Sequence, residues 1–196
     1  MGHLKRKVIK KEENRVIHLF SEGVTERIYF DNFKKWRSGV IIKPESLKVD
    51  PLTMLRKIKQ KSIDKNDIVY CIFDVNGNDD STLKKAKEEA KKNKINTCIS
   101  NPCFEIWYLL HCQECNLVFS CCDDLLKMLN KHISTYTKTE NIYPKIKTTE
   151  DMAIKRAKSL KKAHLDSDVD LYSRRGSPLT EAFEIVELLN EKMKLK

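Results

Sequence analysis

Residues 67–80 read DIVYCIFDVNGNDD, an apolar run that ends in an aspartate and a polar loop. The nearly continuous β-branched and aromatic residues from Ile68 to Phe73 are typical of a central parallel strand that is buried on both faces. A Lys/Glu/Ala-rich helix follows to about Lys92, and Ser81 is its predicted N-cap. This stretch predicts a strand, loop and helix of an α/β sheet.

Similar units surround it. Strands are predicted at 15–20, 40–43, 46–49 and 96–100, and helices at 25–36, from 52 until the pattern fades near 62, and from Pro102 through His111. The order of strands and helices favours a mostly parallel sheet flanked by helices. Beyond Cys122, helical periodicity at 124–132, 149–163 and 178–194 predicts a helical C-terminal elaboration.

The length of 196 residues corresponds to one domain. We divide the chain into a basic N-terminal arm (1–14), an α/β core (15–121) and a helical C-terminal part of the same domain (122–196). No run approaches the roughly 20 apolar residues of a membrane span. Residues 1–15 lack the apolar segment of a secretory signal, so we expect a cytoplasmic protein that does not bind membranes.

The charge balance points to polyanionic partners. Lysine and arginine number 38 against 28 aspartates and glutamates, which gives a net charge of +10. An excess of positive charge gives information about binding partners and not about the fold, and it favours binding to a nucleic-acid backbone.

Seven cysteines in a chain without an export signal favour reduced thiols over disulfides. Four of them, with His111 beside them, lie in a short stretch: Cys112, Cys115, Cys121 and Cys122. A zinc-stabilised interaction protein is therefore one alternative. The adjacent pair Cys121-Cys122 is awkward for one tetrahedral ion and argues against zinc.

Acidic residues follow two of the predicted strands. Glu22 comes after the first strand, and Asp74 ends the apolar strand, with Asn76, Asp79 and Asp80 close behind. Ligands of open α/β sheets bind beyond the carboxyl ends of strands, and gathered carboxylates call for a cation such as Mg²⁺ (or Mn²⁺). In the simpler alternative, Glu22 caps the helix after Gly23 and the Asp-rich loop is a solvated turn.

Further candidates lie later in the chain. Glu105 falls in the first turn of a helix, where its carboxylate reaches the same strand ends or merely complements the helix dipole. We expect Asn101 to fix the preceding turn by bonding backbone amides. Four basic side chains are candidates for neutralising phosphates: His111, Lys145, Arg174 and Arg175. In the alternative to phosphate binding, His111 packs in the core or caps the C-terminus of its helix, and the two arginines are ordinary surface residues.

A strand ending in Ser-Glu-Gly (21–23), a helix, and a later strand ending in Asp-x-Asn (74–76) resemble the Toprim domain. The resemblance implies that Glu22 is a general acid/base and that Asp74 holds Mg²⁺ during phosphodiester cleavage. Asn76 stands where the family has a second Asp, which lowers the charge of the ligand set by one.

Residues 100–111, SNPCFEIWYLLH, resemble the signature of the RloB-like family, Toprim-type proteins of bacterial abortive infection that include the AbiL component encoded beside an ATPase. Segments 143–145 and 177–180 also fit, and the resemblance extends from Val16 to about Leu189.

The resemblance implies a Mg- or Mn-dependent nuclease that acts on RNA, including transfer RNA, or on DNA, with an ATPase partner encoded nearby. The replacement at Asn76 motivates the alternative of a non-catalytic subunit that binds nucleic acid or the ATPase. The sequence leaves the substrate and the oligomeric state open.

Overall fold

The computed structural model describes residues 16–35 and 41–194; the predicted basic arm (1–14) lies outside them. The strands are β1 (Val16–Ser21), β2 (Ile41–Ser46), β3 (Ile68–Asp74), β4 (Asn96–Asn101) and β5 (Leu179–Thr180). The helices are α1 (Val24–Asp31), α2 (Pro51–Lys59), α3 (Asp80–Lys92), α4 (Glu105–Cys112), α5 (Cys122–Leu129), α6 (Tyr143–Ile146), α7 (Glu150–Asp166) and α8 (Ala182–Lys194). The predicted α/β class with C-terminal helices is confirmed.

The five strands form one sheet in the order β2-β1-β3-β4-β5. β1 to β4 are parallel, and β5 pairs antiparallel with β4. The chain goes from β1 outward to β2 and then crosses back to β3 on the other side of β1. The winding therefore reverses between β1 and β3, and in open α/β sheets ligands bind at such a switch point, beyond the carboxyl ends of the strands.

Side chains of the central strand alternate between two apolar layers. Ile72 belongs to a larger cluster with α1, α4 and the C-terminal helices, whereas Cys71 and Phe73 belong to a smaller cluster under α2 and α3. In α4, every residue from Glu105 to His111 is buried. Because each large apolar side chain buried there contributes about 1.5–3 kcal/mol, α4 is a rigid support for the polar groups it carries.

Both edges of the sheet differ from the sequence-based expectation. The sequence predicts two short strands around Pro44, but β2 is one strand that runs through it. A proline is tolerated there because an edge strand has one side without a ladder partner for an N–H. The last helix, predicted from Pro178, begins only at Ala182, because Leu179 and Thr180 first pair with β4.

Two helix starts also differ. Asp79, and not Ser81, caps α3, since its side chain accepts the backbone N–H of Thr82 at 2.9 Å. The helix predicted from Pro102 begins at Glu105, because the chain first continues alongside the loop after β3, where the N–H of Asn76 donates to the Pro102 carbonyl at 3.0 Å.

Within the part of the chain that the structure describes, no helix combines the length and the apolar character needed to span a membrane.

Candidate functional site

Glu22 and Asp74 lie at the carboxyl ends of the neighbouring strands β1 and β3. The backbone N–H of Glu22 donates to the Ile72 carbonyl at 3.0 Å, which ties the residue after β1 to the end of β3. One carboxylate oxygen of each residue, Oε2 of Glu22 and Oδ1 of Asp74, is buried without a hydrogen-bond partner. These two acids, predicted from the sequence, are therefore brought together at the switch point with unused acceptor capacity.

Glu26 joins them, although it was not among the residues predicted from the sequence. It lies in the first turn of α1, is 2% exposed, and folds back so that the Gly23 N–H donates to its Oε1 at 3.4 Å. A Cβ at Gly23 would collide with the Glu26 carboxylate. The Gly-x-x-Glu spacing of one helical turn was the sequence signal that could have identified this residue.

Glu105, the first residue of α4, completes the group. Its Oε1 accepts hydrogen bonds from the hydroxyls of Thr25 at 3.2 Å and Tyr136 at 3.1 Å, and its side chain is 1% exposed. We refer to Glu22, Glu26, Asp74 and Glu105 as the acidic cluster.

Three members of the acidic cluster, Glu22, Glu26 and Asp74, are harder to ionise than free carboxyl groups. Burial, followed by the charges of Glu105 and Glu22, raises the pKa of Glu26 to about 7. Burial, followed by the charges of Glu26 and Glu105, raises the pKa of Asp74 well above its usual range. Burial also raises the pKa of Glu22, although hydrogen bonds from the Asp74 backbone partly offset it. Such a group is stabilised in its ionised form by a nearby cation.

Lys138 supplies one positive charge. Its Nζ lies 4.0 Å from Glu105 Oε1, and its backbone carbonyl is 3.1 Å from the Thr25 hydroxyl. Partial burial is the largest single influence and opposes protonation of Lys138, but the combined charges of Glu105, Cys103, Cys122 and Asp74 outweigh it and raise the lysine pKa. No sequence signal distinguished Lys138, a loop residue, from the other lysines.

Lys145, the lysine selected from the sequence, is placed elsewhere. Its Nζ pairs with Glu140 at 2.8 Å, and its side chain is 60% exposed. The structure therefore gives Lys138 and not Lys145 the contact with the acidic cluster.

The loop after β3 divides its predicted ligands. Asn76 is exposed, and its Nδ2 lies 3.6 Å from the sulfur of Cys122. Asn78, which was not among the residues predicted from the sequence, is buried and donates to the Asp74 carbonyl at 3.0 Å. A hydrogen bond from its side chain to Glu22 partly offsets the effect of burial on the pKa of Glu22. Asp79 is occupied by the N-cap of α3, where it also accepts the hydroxyls of Ser81 and Thr82.

The remaining candidates separate into buried and exposed groups. His111 is buried, its Nδ1 is 2.9 Å from the Ile146 carbonyl, and burial lowers its pKa to about 4, so the ring is neutral and does not supply a cation at neutral pH. Arg174 and Arg175 are exposed in a 3₁₀ turn.

The side chain of Asn101 does not bond backbone amides of its own turn. It donates instead to the Ser173 carbonyl at 2.9 Å, which holds the turn that carries the two arginines against the end of β4.

Two thiols border the acidic cluster. Cys103 is fully buried in the turn before α4, and Cys122 is half-buried at the start of α5. The Cys103 thiol donates a hydrogen bond to Cys122, which lowers the pKa of Cys122. Across residues 16–35 and 41–194, no three His, Cys, Asp or Glu side chains are grouped closely enough to hold a metal ion by themselves.

A family model described as RloB-like protein matches residues 17–189. Comparisons with curated proteins and with solved structures give no match. The matched range contains the acidic cluster, Lys138, both border thiols and the turn with the two arginines.

Proposed function

Because the chain belongs to the RloB-like family, we propose that it is a metal-dependent nuclease that hydrolyses phosphodiester bonds. The observation that carries this proposal is the pair Glu22 and Asp74 at the switch point, each with a buried carboxylate oxygen that lacks a hydrogen-bond partner. In the Toprim-like interpretation, these are the glutamate and the first aspartate of the site.

The donor set suits a hard cation of the Mg²⁺ type. Mg²⁺ is usually held by one or two carboxylates and keeps several waters, so a preformed group of three acidic ligands is not required. Asp74 and Glu22 would hold the ion through their unpartnered oxygens, and the amide oxygen of Asn76 is a further ligand of the right type. When bound, Mg²⁺ or Mn²⁺ supplies charge stabilisation at the phosphate and lowers the pKa of a water.

The chain's own groups have separate tasks in this mechanism. Glu22, which is partly exposed, accepts the proton of the attacking water as general base. Lys138 neutralises charge on the scissile phosphate, while Glu105 positions the lysine. Arg174 and Arg175 bind phosphates that flank the scissile bond.

We further propose that the substrate is RNA, including transfer RNA, or DNA, and that the nuclease is the effector of an anti-phage abortive-infection system with an ATPase partner. The net charge of +10 favours a polyanionic substrate. Backbone contacts by lysine and arginine do not discriminate between bases, so substrate choice has to be determined by assay.

The experiment is incubation of the purified chain with transfer RNA, single-stranded RNA and plasmid DNA, with Mg²⁺, Mn²⁺ or chelator. Cleavage should require metal, and Glu22→Gln and Asp74→Asn should each lower it by roughly 100-fold or more. Glu45→Gln is the matched control, because Glu45 lies near the same end of β2 but is about half-exposed and pairs with Lys61 at 3.0 Å. Metal-independent cleavage, or full activity of both cluster variants, would contradict the proposal.

A second candidate is a non-catalytic subunit that binds nucleic acid or the ATPase. It is favoured by Asn76, which replaces a carboxylate and directs its amide to Cys122. This candidate predicts binding of nucleic acid without cleavage under any metal, with or without the ATPase, and equal binding by the wild-type chain and the Asp74→Asn variant.

A further inference from the structure

A pocket with lysine and tyrosine side chains lies at the amino end of β4, at the opposite end of the sheet from the acidic cluster. Lys87, Lys91 and Lys94 line one wall, and Tyr70 and Tyr172 contribute aromatic rings. We refer to these five residues as the lysine pocket. Its volume of about 520 Å³ lies within the range of ligand sites, roughly 300–1,000 Å³.

The three lysines form a row. Lys87 and Lys91 are about one turn apart on α3, and Lys94 continues the row past the end of the helix, so that the row spans roughly 10 Å. Lysines in the last turn of a helix complement its dipole. That role does not account for Lys87, which lies before the last turn, or for Lys94, which lies beyond it. The row therefore has more positive charge than the end of the helix requires.

Lys94 occupies an unusual backbone position. Its φ is 56°, in the left-handed region that favours glycine, and the Ile95 N–H donates to the Ala90 carbonyl at 3.0 Å to close the end of α3. A glycine would avoid the strain at this position. The lysine instead brings a third ammonium group to the pocket, and backbone strain of this kind is concentrated at functional sites.

The carboxylates around the row are engaged by other lysines. Glu89 on α3 pairs with Lys59 at 3.0 Å, while Glu181 and Glu184, on the facing wall of the pocket, share Lys161 at 2.7 and 2.5 Å. In the part of the chain that the structure describes, none of the three lysines of the row forms a salt bridge. The row therefore offers three ammonium groups to an anionic ligand with several negative charges.

The two tyrosines have different positions in the pocket. The Nζ of Lys87 lies 4.5 Å from the centroid of the Tyr172 ring, and the Tyr172 hydroxyl is 2.5 Å from that of Thr97, so this ring holds one cation in place. Tyr70 is half-buried, packs against the larger apolar cluster and lines the pocket. A row of cations beside an aromatic ring is the combination that binds single-stranded nucleic acid, with phosphates on the cations and a base on the ring.

The lysine pocket is connected to the turn that carries Arg174 and Arg175. Tyr172 contacts Thr97 near the amino end of β4, and the next residue, Ser173, accepts a hydrogen bond from Asn101 at its carboxyl end, at 2.9 Å. Thr97 and Asn101 are about 13 Å apart along the strand. The two arginines follow at the end of the sheet where the acidic cluster lies, so basic groups border both ends of β4.

We propose that the lysine pocket binds an unpaired stretch of nucleic acid, with phosphates on Lys87, Lys91 and Lys94 and a base against Tyr70, while the scissile bond lies at the acidic cluster. The phosphates of a free nucleotide are close together, whereas the lysine row spans roughly 10 Å, which favours a strand. A base inside a duplex is paired and stacked, so its face is not open to Tyr70. Only the placement of the scissile bond rests on the proposed nuclease function.

The first test measures binding apart from cleavage. Fluorescence anisotropy of the full chain, in chelator and at several KCl concentrations, is recorded with a labelled single strand and with its duplex. The triple variant Lys87→Ala/Lys91→Ala/Lys94→Ala should lower the slope of log affinity against log salt by about 2 for the single strand, because each lost phosphate contact contributes about 0.7.

A second triple variant of α3 is the matched control. Lys84→Ala/Lys85→Ala/Lys92→Ala removes the same charge from exposed positions that do not line the lysine pocket, and it should lower the slope less than half as much. Equal losses in the two triple variants would overturn the proposal, and so would equal binding of the single strand and the duplex by the wild-type chain. Displacement of the strand by ATP at micromolar concentration would assign the pocket to a free nucleotide and would also overturn it.

Substitutions at Tyr70 test the unpaired base. Tyr70→Leu should weaken binding of the single strand about 5-fold or more and leave binding of the duplex unchanged, because stacking of a base on the ring is lost. Tyr70→Phe keeps the ring and should bind like the wild type. Since Tyr70 packs against the core, the exposed lysine variants carry the conclusion if Tyr70→Leu does not fold.

Cleavage of the same strand with Mg²⁺ is measured last. The Lys87/Lys91/Lys94 triple variant should raise KM and leave kcat unchanged, because the pocket binds the substrate away from the reacting atoms. An unchanged KM in this variant overturns the assignment of the pocket to the substrate. Binding that depends on the pocket, in a protein that never cleaves, counts against the proposed nuclease and supports the lysine pocket as a single-strand site.

Discussion

At the scale of single residues, the acidic cluster brings together more carboxyl groups than its buried environment can stabilise in the ionised form. Glu26 folds over Gly23, and burial together with the Glu26 carboxylate raises the pKa of Asp74. Glu105 accepts hydrogen bonds from two hydroxyl groups and lies near Lys138. These contacts predict which substitutions alter chemistry and which alter stability.

Exchange of the two candidate lysines tests the position of the cation. We expect Lys138→Met to lower cleavage roughly 100-fold, because a charge-stabilising group at the scissile phosphate is lost. Lys145→Met should retain full cleavage, since it removes only a surface pair with Glu140, worth about 0–1 kcal/mol. Initial cleavage rates at saturating metal would show the difference, and the reverse ranking would restore the sequence-based choice of Lys145.

The raised pKa of Glu26 predicts a pH-dependent stability. In the metal-free protein the folded state holds a proton on Glu26 up to about pH 7, whereas the unfolded chain releases it near 4.5. The contribution of Glu26 to the free energy of unfolding therefore falls as pH rises from about 4.5 to 7, by about 3 kcal/mol. The pKa of His111 is lowered to about 4, so its contribution has the opposite dependence on pH. Its contribution to the free energy of unfolding decreases as pH falls below the pKa of the unfolded histidine.

Comparison with Glu26→Gln isolates the glutamate, because His111 is common to both proteins. Urea unfolding in chelator at pH 5 and pH 7.5 should show the wild type losing stability relative to Glu26→Gln at the higher pH. Mg²⁺ should reduce the difference in stability between the two proteins at pH 7.5, because it favours the ionised acidic cluster. Parallel pH profiles of the two proteins would contradict the pKa assignment.

At the scale of elements, the strands and helices that have a strong sequence pattern, and that connect directly along the chain, were predicted well. β3, its polar loop and α3 follow from the apolar run, whereas β5 could not be anticipated, because a two-residue strand has no periodicity of its own and exists through pairing with β4. The predicted start of α4 was wrong because a tertiary hydrogen bond overrode local preference at Pro102, and that of α3 was wrong because Asp79 and not Ser81 is its local cap.

The cap of α3 gives a prediction at this scale. Asp79→Ala should destabilise the protein by about 1 kcal/mol, whereas Asp79→Asn should cost only a few tenths, because asparagine caps as well as aspartate. Neither variant should change the metal concentration needed for half-maximal cleavage, since Asp79 is engaged by Ser81 and Thr82. A raised metal requirement in Asp79→Asn would return this residue to the ligand set.

At the scale of the whole molecule, strand order assembles the site. Glu22 and Asp74 are far apart in the chain and became candidates through their positions after strands, and the sheet order makes them neighbours. Glu26 had a spacing signal that could be read from the sequence, but Lys138 reaches Glu105 only through long-range packing. No local pattern contains such information.

Arg174 and Arg175 connect the molecule to its proposed substrate. If each contacts one phosphate, the double variant Arg174→Ala/Arg175→Ala should lower the slope of log affinity against log salt by about 0.7–0.9 per contact. Fluorescence anisotropy with a labelled oligonucleotide, in chelator and at several KCl concentrations, measures this slope. Lys57→Ala/Lys59→Ala on α2 is the control pair, and an equal loss in both pairs would show that the arginine turn has no special role.

The two edges of the sheet have a consequence for association between molecules. β2 carries Pro44, which has no N–H to offer, together with exposed Lys43, and β5 at the other edge is only two residues long. Neither edge is a good template for pairing with a strand of another copy. Self-association of this protein at high concentration should therefore use side-chain surfaces, and the protein should resist the growth of intermolecular β-aggregates.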